Sequence, residues 1–397
     1  MDEQIHSFTT AHNLLDQLTS DLGNFSLIIL FFGVARHYNL LNNNLFFLAA
    51  FMMLSPFLFN NSLFPWSLLP DQTKYLDLTM LFRDNLPLSL DYIFKTTFGL
   101  WEVSNKVRAS SILYTHFPLL SIETFKSIGF INRALYVATI LFFITRGYLS
   151  VYLKVLVLLA PSVLVYSSVA LRDNLVLLLM IWSCYFYLTN RYILLFISFL
   201  ILFQLKLQNL YLLIFTFYTI TLMNNDFSKK KKYLIGLPIL VSMLIVFFYH
   251  DQIIFAADGL RKGMYAEHVG FYLSDTANFT YTKLELNLNT IITFFKSYIQ
   301  FITSPIGKID NLFLLIIALE TICIYLFIFI NFYKDIRIKK LNRLVKTWII
   351  ILSGYIGLYC MFIFNAGQLT RYRYVLLFVV MIGYEIHKKI ILNKKVR

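Results

Sequence analysis

Solid apolar blocks alternate with short polar interruptions from Phe25 to Ile386. Several blocks approach the ~20 residues that a helix needs to cross bilayer hydrocarbon. A membrane β-barrel would instead show strands of roughly ten residues with apolar and polar positions alternating. The pattern predicts an all-α polytopic membrane protein, read as one integral membrane domain over 1–397. About eleven transmembrane helices are expected, near 24–40, 45–60, 127–145, 149–167, 173–189, 191–206, 209–225, 233–248, 311–332, 347–365 and 372–386. Arg36, His37 and a run of asparagines interrupt the first two blocks.

Composition agrees with that reading. The chain is 58% hydrophobic and 18% aromatic with 14% charged residues, where a soluble chain carries about a quarter charged. Its formal net charge of +14 would suit nucleic acid if it were spread over one face. Instead the basic residues gather in short loops and the tail, which marks the cytoplasmic side of a membrane protein. No nucleic-acid partner is expected. Three clusters carry the signal: "KKKK" at Lys229 to Lys232, "KDIRIKKLNRLVK" at Lys334 to Lys346, and the tail from His387 to Arg397. Placing all three in the cytoplasm requires an even number of crossings between successive clusters, and two spans fit each gap. The N-terminus is then outside and the C-terminus cytoplasmic. With no Lys or Arg before Arg36, the N-terminus does not read as a secretory signal.

This topology leaves short basic cytoplasmic loops, near 226–232 and 334–346, and two large external loops, near 61–126 and 251–310. Both external loops exceed the dozen or so residues of a plain connection, which directs attention to them. "NTIITFFKSYIQFITSP" (Asn289–Pro305) would break the parity as a full crossing. With Lys296 and Gln300 four apart, it is expected to be an amphipathic helix lying in the outer interface. "PWSLLPDQTKYLDLTMLF" opens the first external loop. A helix starting near Asp71 would put Tyr75 on its face and leave Leu76, Met80 and Phe82 for the membrane. Asp71 is then either a simple N-cap or a general base for a hydroxyl.

Other polar residues share the outer level. Arg172 and Asp173 interrupt "SSVALRDNLVLLLMIW"; Asp173 can cap the helix it opens, and Arg172 can reach a lipid phosphate. Lys206 and Gln208 lie in "FQLKLQN", His250 and Asp251 in "FFYHDQ", and Gln368, Arg371 and Arg373 in "NAGQLTRYRYVLLF". Arginine in an external turn runs against the usual charge bias, and a phosphate anion suits its guanidinium fork. Arg371 and Arg373 face one ligand only if the turn between them is extended. In the second loop, Arg261, Lys262, Glu267 and His268 are weaker candidates for contact with a polar substrate, among glycines at 259, 263 and 270. Glu320, inside an apolar span, is a candidate by position, while Glu385 and His387 read as residues reaching the cytoplasmic boundary.

Several classes are excluded or unsupported. The chain contains no Walker A, HExxH or GxSxG sequence, so the nucleotide, zinc-protease and serine-hydrolase readings lack their motifs. Cys184, Cys323 and Cys360 sit inside apolar runs without CxxC spacing and read as small core residues. No cofactor is expected and no metal is required, since the arginines can supply positive charge; a divalent ion between carboxylates is the alternative. Nearly clean spans and no evident internal repeat argue against a secondary transporter.

"LLAPSVLVYSSVALRDNLVLLLMIW" resembles the proline, serine and Arg-Asp/Glu stretch of bacterial membrane glycosyltransferases of the GT-C kind. "PDQTKYLDLTM" resembles the segment opening their first external loop, and "QLTRYRYVLLF" the RY sequence at the start of a late span. Length, span count and the preponderance of Leu, Ile and Phe are similar to the O-antigen or capsule repeat-unit polymerases of the Wzy type. Two spans precede the acidic loop here, where the glycosyltransferase pattern has one. The resemblance implies a GT-C-like enzyme of the bacterial inner membrane that joins oligosaccharide units carried on polyprenyl diphosphate. It implies Asp71 as catalytic base and Arg172, Arg371 and Arg373 as diphosphate ligands. The map of polar residues at the outer level adds Tyr75, Asp173, Lys206, Gln208, His250, Asp251 and Gln368 as candidates for contact with the substrate. Membrane lipid and a chain-length regulator protein are the implied further partners. Transfer of a single sugar from polyprenyl phosphate, a lipid-linked oligosaccharide flippase, and a non-catalytic scaffold are the alternatives.

Overall fold

The computed structural model describes residues 14–58, 71–89, 105–223, 252, 254–259, 261–263, 283, 288–304, 312–339, 341–360 and 366–393. Among these residues the regular elements are helices and no strand occurs. The chain packs as two compact units, one of Met1–Leu179 with Ile197–Leu207, the other of Met180–Phe196 with Gln208–Arg397.

The first unit contains α1 (Leu14–His37), α2 (Asn43–Leu58), α3 (Asp71–Asp84), α4 (Asn105–Thr115), α5 (Phe125–Thr145), α6 (Val151–Leu159) and α7 (Pro161–Tyr166). It also holds the start of α8 (Asp173–Leu188) and the end of α9 (Tyr192–Leu205). Its centre is α5, against which α1, α2 and α3 pack, with Tyr136, Val137, Ile140 and Phe143 fully buried. Thr124 caps α5, accepting from the Ser127 N–H at 3.3 Å and donating to Asp21 at 2.6 Å. Asp21 and Asn24, both on α1, thus have protein partners, and α1 runs back to Leu14, beyond the apolar block that predicts a span from 24.

The second unit contains the rest of α8, the start of α9, α10 (Leu207–Met223) from Gln208 on, α11 (Leu288–Thr303), α12 (Leu312–Ile336), α13 (Asn342–Cys360) and α14 (Ala366–Asn393). Helix α13 packs against α11, α12 and α14. Buried positions run through α14 from Leu369 to Ile386, where Gly383 leaves room for the Trp348 ring.

Four stretches are long and apolar enough to cross a bilayer: Leu18–His37, Phe125–Thr145, Leu312–Ile336 and Asn342–Cys360. Large apolar side chains stand exposed on several helices, among them Leu22 at 65%, Ile193 at 79% and Phe329 at 66%. Water would penalise such surface and hydrocarbon would not. The protein is a helical, membrane-embedded chain.

Three expectations from the sequence need correction. The block at 149–167 is not one helix. Ala160 is extended, with ψ 127°, because the ring of Pro161 disfavours helical geometry in the residue before it. Pro161 also has no N–H for the Val157 carbonyl, and the Tyr136 hydroxyl donates to that carbonyl at 2.8 Å instead. Second, the turn expected around 366–371 is the beginning of α14. Third, α3 begins at Asp71 as expected, but Leu76 and Phe82 are covered by protein, because α3 packs on α4 and α5. The amphipathic helix expected at 289–305 is present as α11. The expected span 233–248 lies outside the described residues.

Candidate functional site

Between α7 and α8 the chain leaves helical geometry while staying inside the first unit. Ser167, Val169, Ala170 and Leu171 have no exposed surface, and Ser168 has 1%. Irregular backbone so placed in an apolar, membrane-embedded chain must find its partners within the protein. Asn132 on α5 donates through Nδ2 to the Val169 carbonyl at 2.8 Å and the Leu171 carbonyl at 2.9 Å. The Tyr114 hydroxyl on α4 lies 3.0 Å from the Leu171 carbonyl and 3.1 Å from Asn132 Oδ1, its one proton shared between them. The Ala170 N–H donates to Gln72 Oε1 at 2.9 Å, which brings the first turn of α3 against this segment. Arg133 donates through Nη1 to Ser167 Oγ at 2.6 Å and through Nε to the Met52 carbonyl at 2.7 Å. Asn174 in turn donates to the Asn132 carbonyl at 2.7 Å. Gly129 permits the close approach of α5, since a Cβ there would collide with the Ser168 carbonyl oxygen.

Arg172 and Asp173 follow directly on this held segment. The Arg172 carbonyl accepts the Val176 N–H at 3.0 Å, so α8 starts at Asp173, and the carboxylate stands in the first turn, where the helix dipole favours it. Asp173 meets the Lys206 ammonium at 3.3 Å, both side chains almost fully buried. Lys206 is the single residue between α9 and α10, where the sequence predicts a turn reaching to Gln208. Arg172 is half-buried; its Nε and Nη1 are inaccessible and meet no hydrogen-bond acceptor among the described residues. Burial pushes the Tyr114 phenol well above its ordinary range, outweighing the hydrogen bond to Asn132; Tyr75, Asp173 and Arg172 also act on it electrostatically. Tyr114 is therefore a neutral hydrogen-bonding group. Asp77, further along α3, has its carboxyl raised by burial.

The residues expected at the site divide accordingly. Arg172, Asp173, Lys206 and Tyr75 belong to one buried cluster of the first unit, with Tyr75 3% exposed. Asp71 opens α3 beside Gln72, though its side chain lies outside the described residues. His250 and Asp251 lie outside the described residues, as do Glu267, His268 and the side chain of Gln368. Gln208 is exposed at the start of α10, in the other unit.

Arg371 and Arg373 also belong to the second unit, and on a regular helix they project about 200° apart around the axis. A single ligand cannot sit between them. Arg373 is 2% exposed and donates to the carbonyls of Phe301 (3.2 Å), Ile302 (3.3 Å) and Ser304, the end of α11. Its Nη1 thus caps the end of α11, while its Nη2 is buried without an acceptor among the described residues. Arg261 is buried 3.9 Å from Asp258. Glu385 is 3% exposed; Asp335, in the expected cytoplasmic loop, is buried and pairs with Lys388 at 2.5 Å. Glu320 is buried in α12 and Cys323 is exposed on it, whereas Cys184 and Cys360 are core residues.

Gln72, Tyr114, Gly129, Asn132 and Arg133 were not legible as site residues. Only "FINRALYV" carried a signal, a cation and an amide inside an apolar block, which marks an intramembrane position as functional by default. Among the described residues no group of three or more His, Cys, Asp or Glu side chains could hold a metal ion. Comparison with protein-family models, with curated proteins and with solved structures finds no match.

Proposed function

We propose that the chain is a membrane glycosyltransferase that joins oligosaccharide units carried on polyprenyl diphosphate at the outer face of the bacterial inner membrane. In this reading it has about eleven spans in a GT-C-like arrangement, an external N-terminus and a cytoplasmic C-terminus. Helix α11 lies in the interface, and membrane lipid surrounds the carrier chain. A chain-length regulator would be the protein partner.

One observation carries the proposal. Arg172 presents a guanidinium whose buried Nε and Nη1 meet no acceptor among the described residues, on a segment held by hydrogen bonds from three helices. A buried donor left without an acceptor is unfavourable, and a diphosphate oxygen would relieve it with a charge-assisted bond. The donor's diphosphate would lie against Arg172, and the acceptor hydroxyl would approach from the first turn of α3. The hydroxyl oxygen bonds to the anomeric carbon as the bond from that carbon to the diphosphate oxygen breaks. The hydroxyl proton passes to the Asp71 carboxylate, and the electron pair leaves on the diphosphate, stabilised by Arg172. Tyr75 lines the same cluster.

Deleting the gene in its host and resolving surface glycan on a gel tests this. Loss of the long-chain ladder with one unit retained supports the polymerase. Loss of every unit points to a flippase, and a ladder of altered composition to single-sugar transfer. Arg172→Ala, expressed at wild-type level, should lower chain formation by roughly a hundredfold, as removal of a preorganised charge at a departing anion does. A normal ladder from that variant would sink the proposal.

A further inference from the structure

Arg172 and Asp173 are consecutive, which makes the Asp173 carboxylate the anion nearest in sequence with which Arg172 could pair. A carboxylate matches the guanidinium fork, so that pairing would occupy the donors that any other anion needs. In this structure the Asp173 carboxylate is instead held 3.3 Å from Lys206. Lys206 can reach it because α9 and α10 are separated by that one residue, whose N–H still donates to the Leu202 carbonyl at 2.8 Å. The ammonium is therefore delivered to the start of α8 from a helical backbone, with little freedom to move away. A buried ion pair contributes little net stability, because desolvation of both charges opposes their attraction. Its value lies in the arrangement it imposes. Asp173 is held by Lys206, Arg133 donates to the Met52 carbonyl and the Ser167 hydroxyl, and the Arg172 Nε and Nη1 are left without an acceptor among the described residues.

We infer that Lys206 is a positioning residue: by holding Asp173, it keeps the Arg172 guanidinium available to a phosphate-bearing anion. This rests on the proposed reading of Arg172 and adds a role for Lys206 that is not direct contact with the ligand. The two roles make opposite predictions for a double variant. If Lys206 only diverts Asp173, removing both charges together leaves Arg172 without a competitor, and anion binding survives. If Lys206 binds the anion itself, the double variant loses binding as completely as the single one.

The full chain in phosphatidylcholine nanodiscs, titrated with inorganic diphosphate by calorimetry, separates these outcomes. Arg172→Ala should weaken binding at least about tenfold, the loss expected for one charge-assisted contact. Lys206→Met should weaken it comparably, because the released carboxylate turns to Arg172. Lys206→Arg should rescue it, and Asp173→Asn with Lys206→Met should restore it to within about threefold of wild type. The neutral pair keeps the packing and removes both buried charges, so the double variant tests the idea even if Lys206→Met does not fold.

A double variant as weak as Arg172→Ala, or a folded Lys206→Met that binds as wild type does, overturns the inference while leaving the proposed function intact. Undiminished binding by Arg172→Ala overturns both. Repeating the series with phosphatidylglycerol in the disc and native mass spectrometry as readout identifies the source of the phosphate. The same order of variants for retained lipid assigns the site to a headgroup, and the order seen with diphosphate alone assigns it to a soluble or substrate diphosphate. Either order supports the role of Lys206, and its absence from both overturns it.

Discussion

Gly129 shows how a single atom decides whether the candidate site forms. It faces the Ser168 carbonyl oxygen, so Gly129→Ala must push α5 away from the segment that Asn132 and Arg133 hold. Overpacking of this kind costs about 1–3 kcal/mol, and the unfolding temperature of the detergent-solubilised protein should fall accordingly. An unchanged temperature would mean that the close approach is not required. Asp77 tests electrostatics on the same unit. Burial raises its carboxyl above the usual carboxylate range, so the folded chain favours the protonated form. That contribution is fully present below the unfolded carboxyl value and is lost as pH rises through the higher folded value. Asp77→Asn should therefore raise the unfolding temperature at neutral pH and leave it unchanged near pH ~3, where both forms are neutral. A variant equally stabilised at both pH values would contradict the assignment.

At the scale of elements, breaks in helices matter more than the helices. Pro161 ends α6, the Tyr136 hydroxyl takes the carbonyl that proline cannot serve, and the chain then runs through the buried stretch to Arg172. Proline in an apolar block is visible in a sequence, but whether it kinks one span or ends it depends on what receives the freed backbone groups. Helix α11 makes the converse point, because its last carbonyls are received by Arg373 from α14. Arg373→Met should raise amide exchange in the segment around 299–304 by about tenfold or more, with little change in α13. Exchange is the informative measurement, since it reports local opening of a helix end. Equal protection in the variant would show that the cap is not needed.

For the whole molecule, the described helices include four that are long and apolar enough to cross a bilayer. The charge map predicts a cytoplasmic C-terminus, because the clusters at 334–346 and 387–397 are basic. Green fluorescent protein fused after Arg397 should fluoresce, whereas alkaline phosphatase fused there should be inactive. The opposite pair of results would reverse the topology and place the Arg172 cluster at the other face. The proposed use of an outward-facing carrier substrate would then fail with it.

Apolar blocks, a local property of composition and length, determined that this is a helical, membrane-embedded chain and where most of its helices lie. They also marked Arg172, Asp173 and Lys206 as charges out of place in apolar surroundings. Which charge meets which was decided by packing, since a salt bridge depends on backbone positions set elsewhere in the fold. Lys206 reaches Asp173 through the one-residue junction of α9 and α10, and Arg373 is claimed by the end of α11. The Asn132, Tyr114 and Gln72 contacts with the buried stretch join residues up to 98 positions apart. No local pattern encodes such pairings, because each exists only once irregular backbone is enclosed and its polar groups must be satisfied from within.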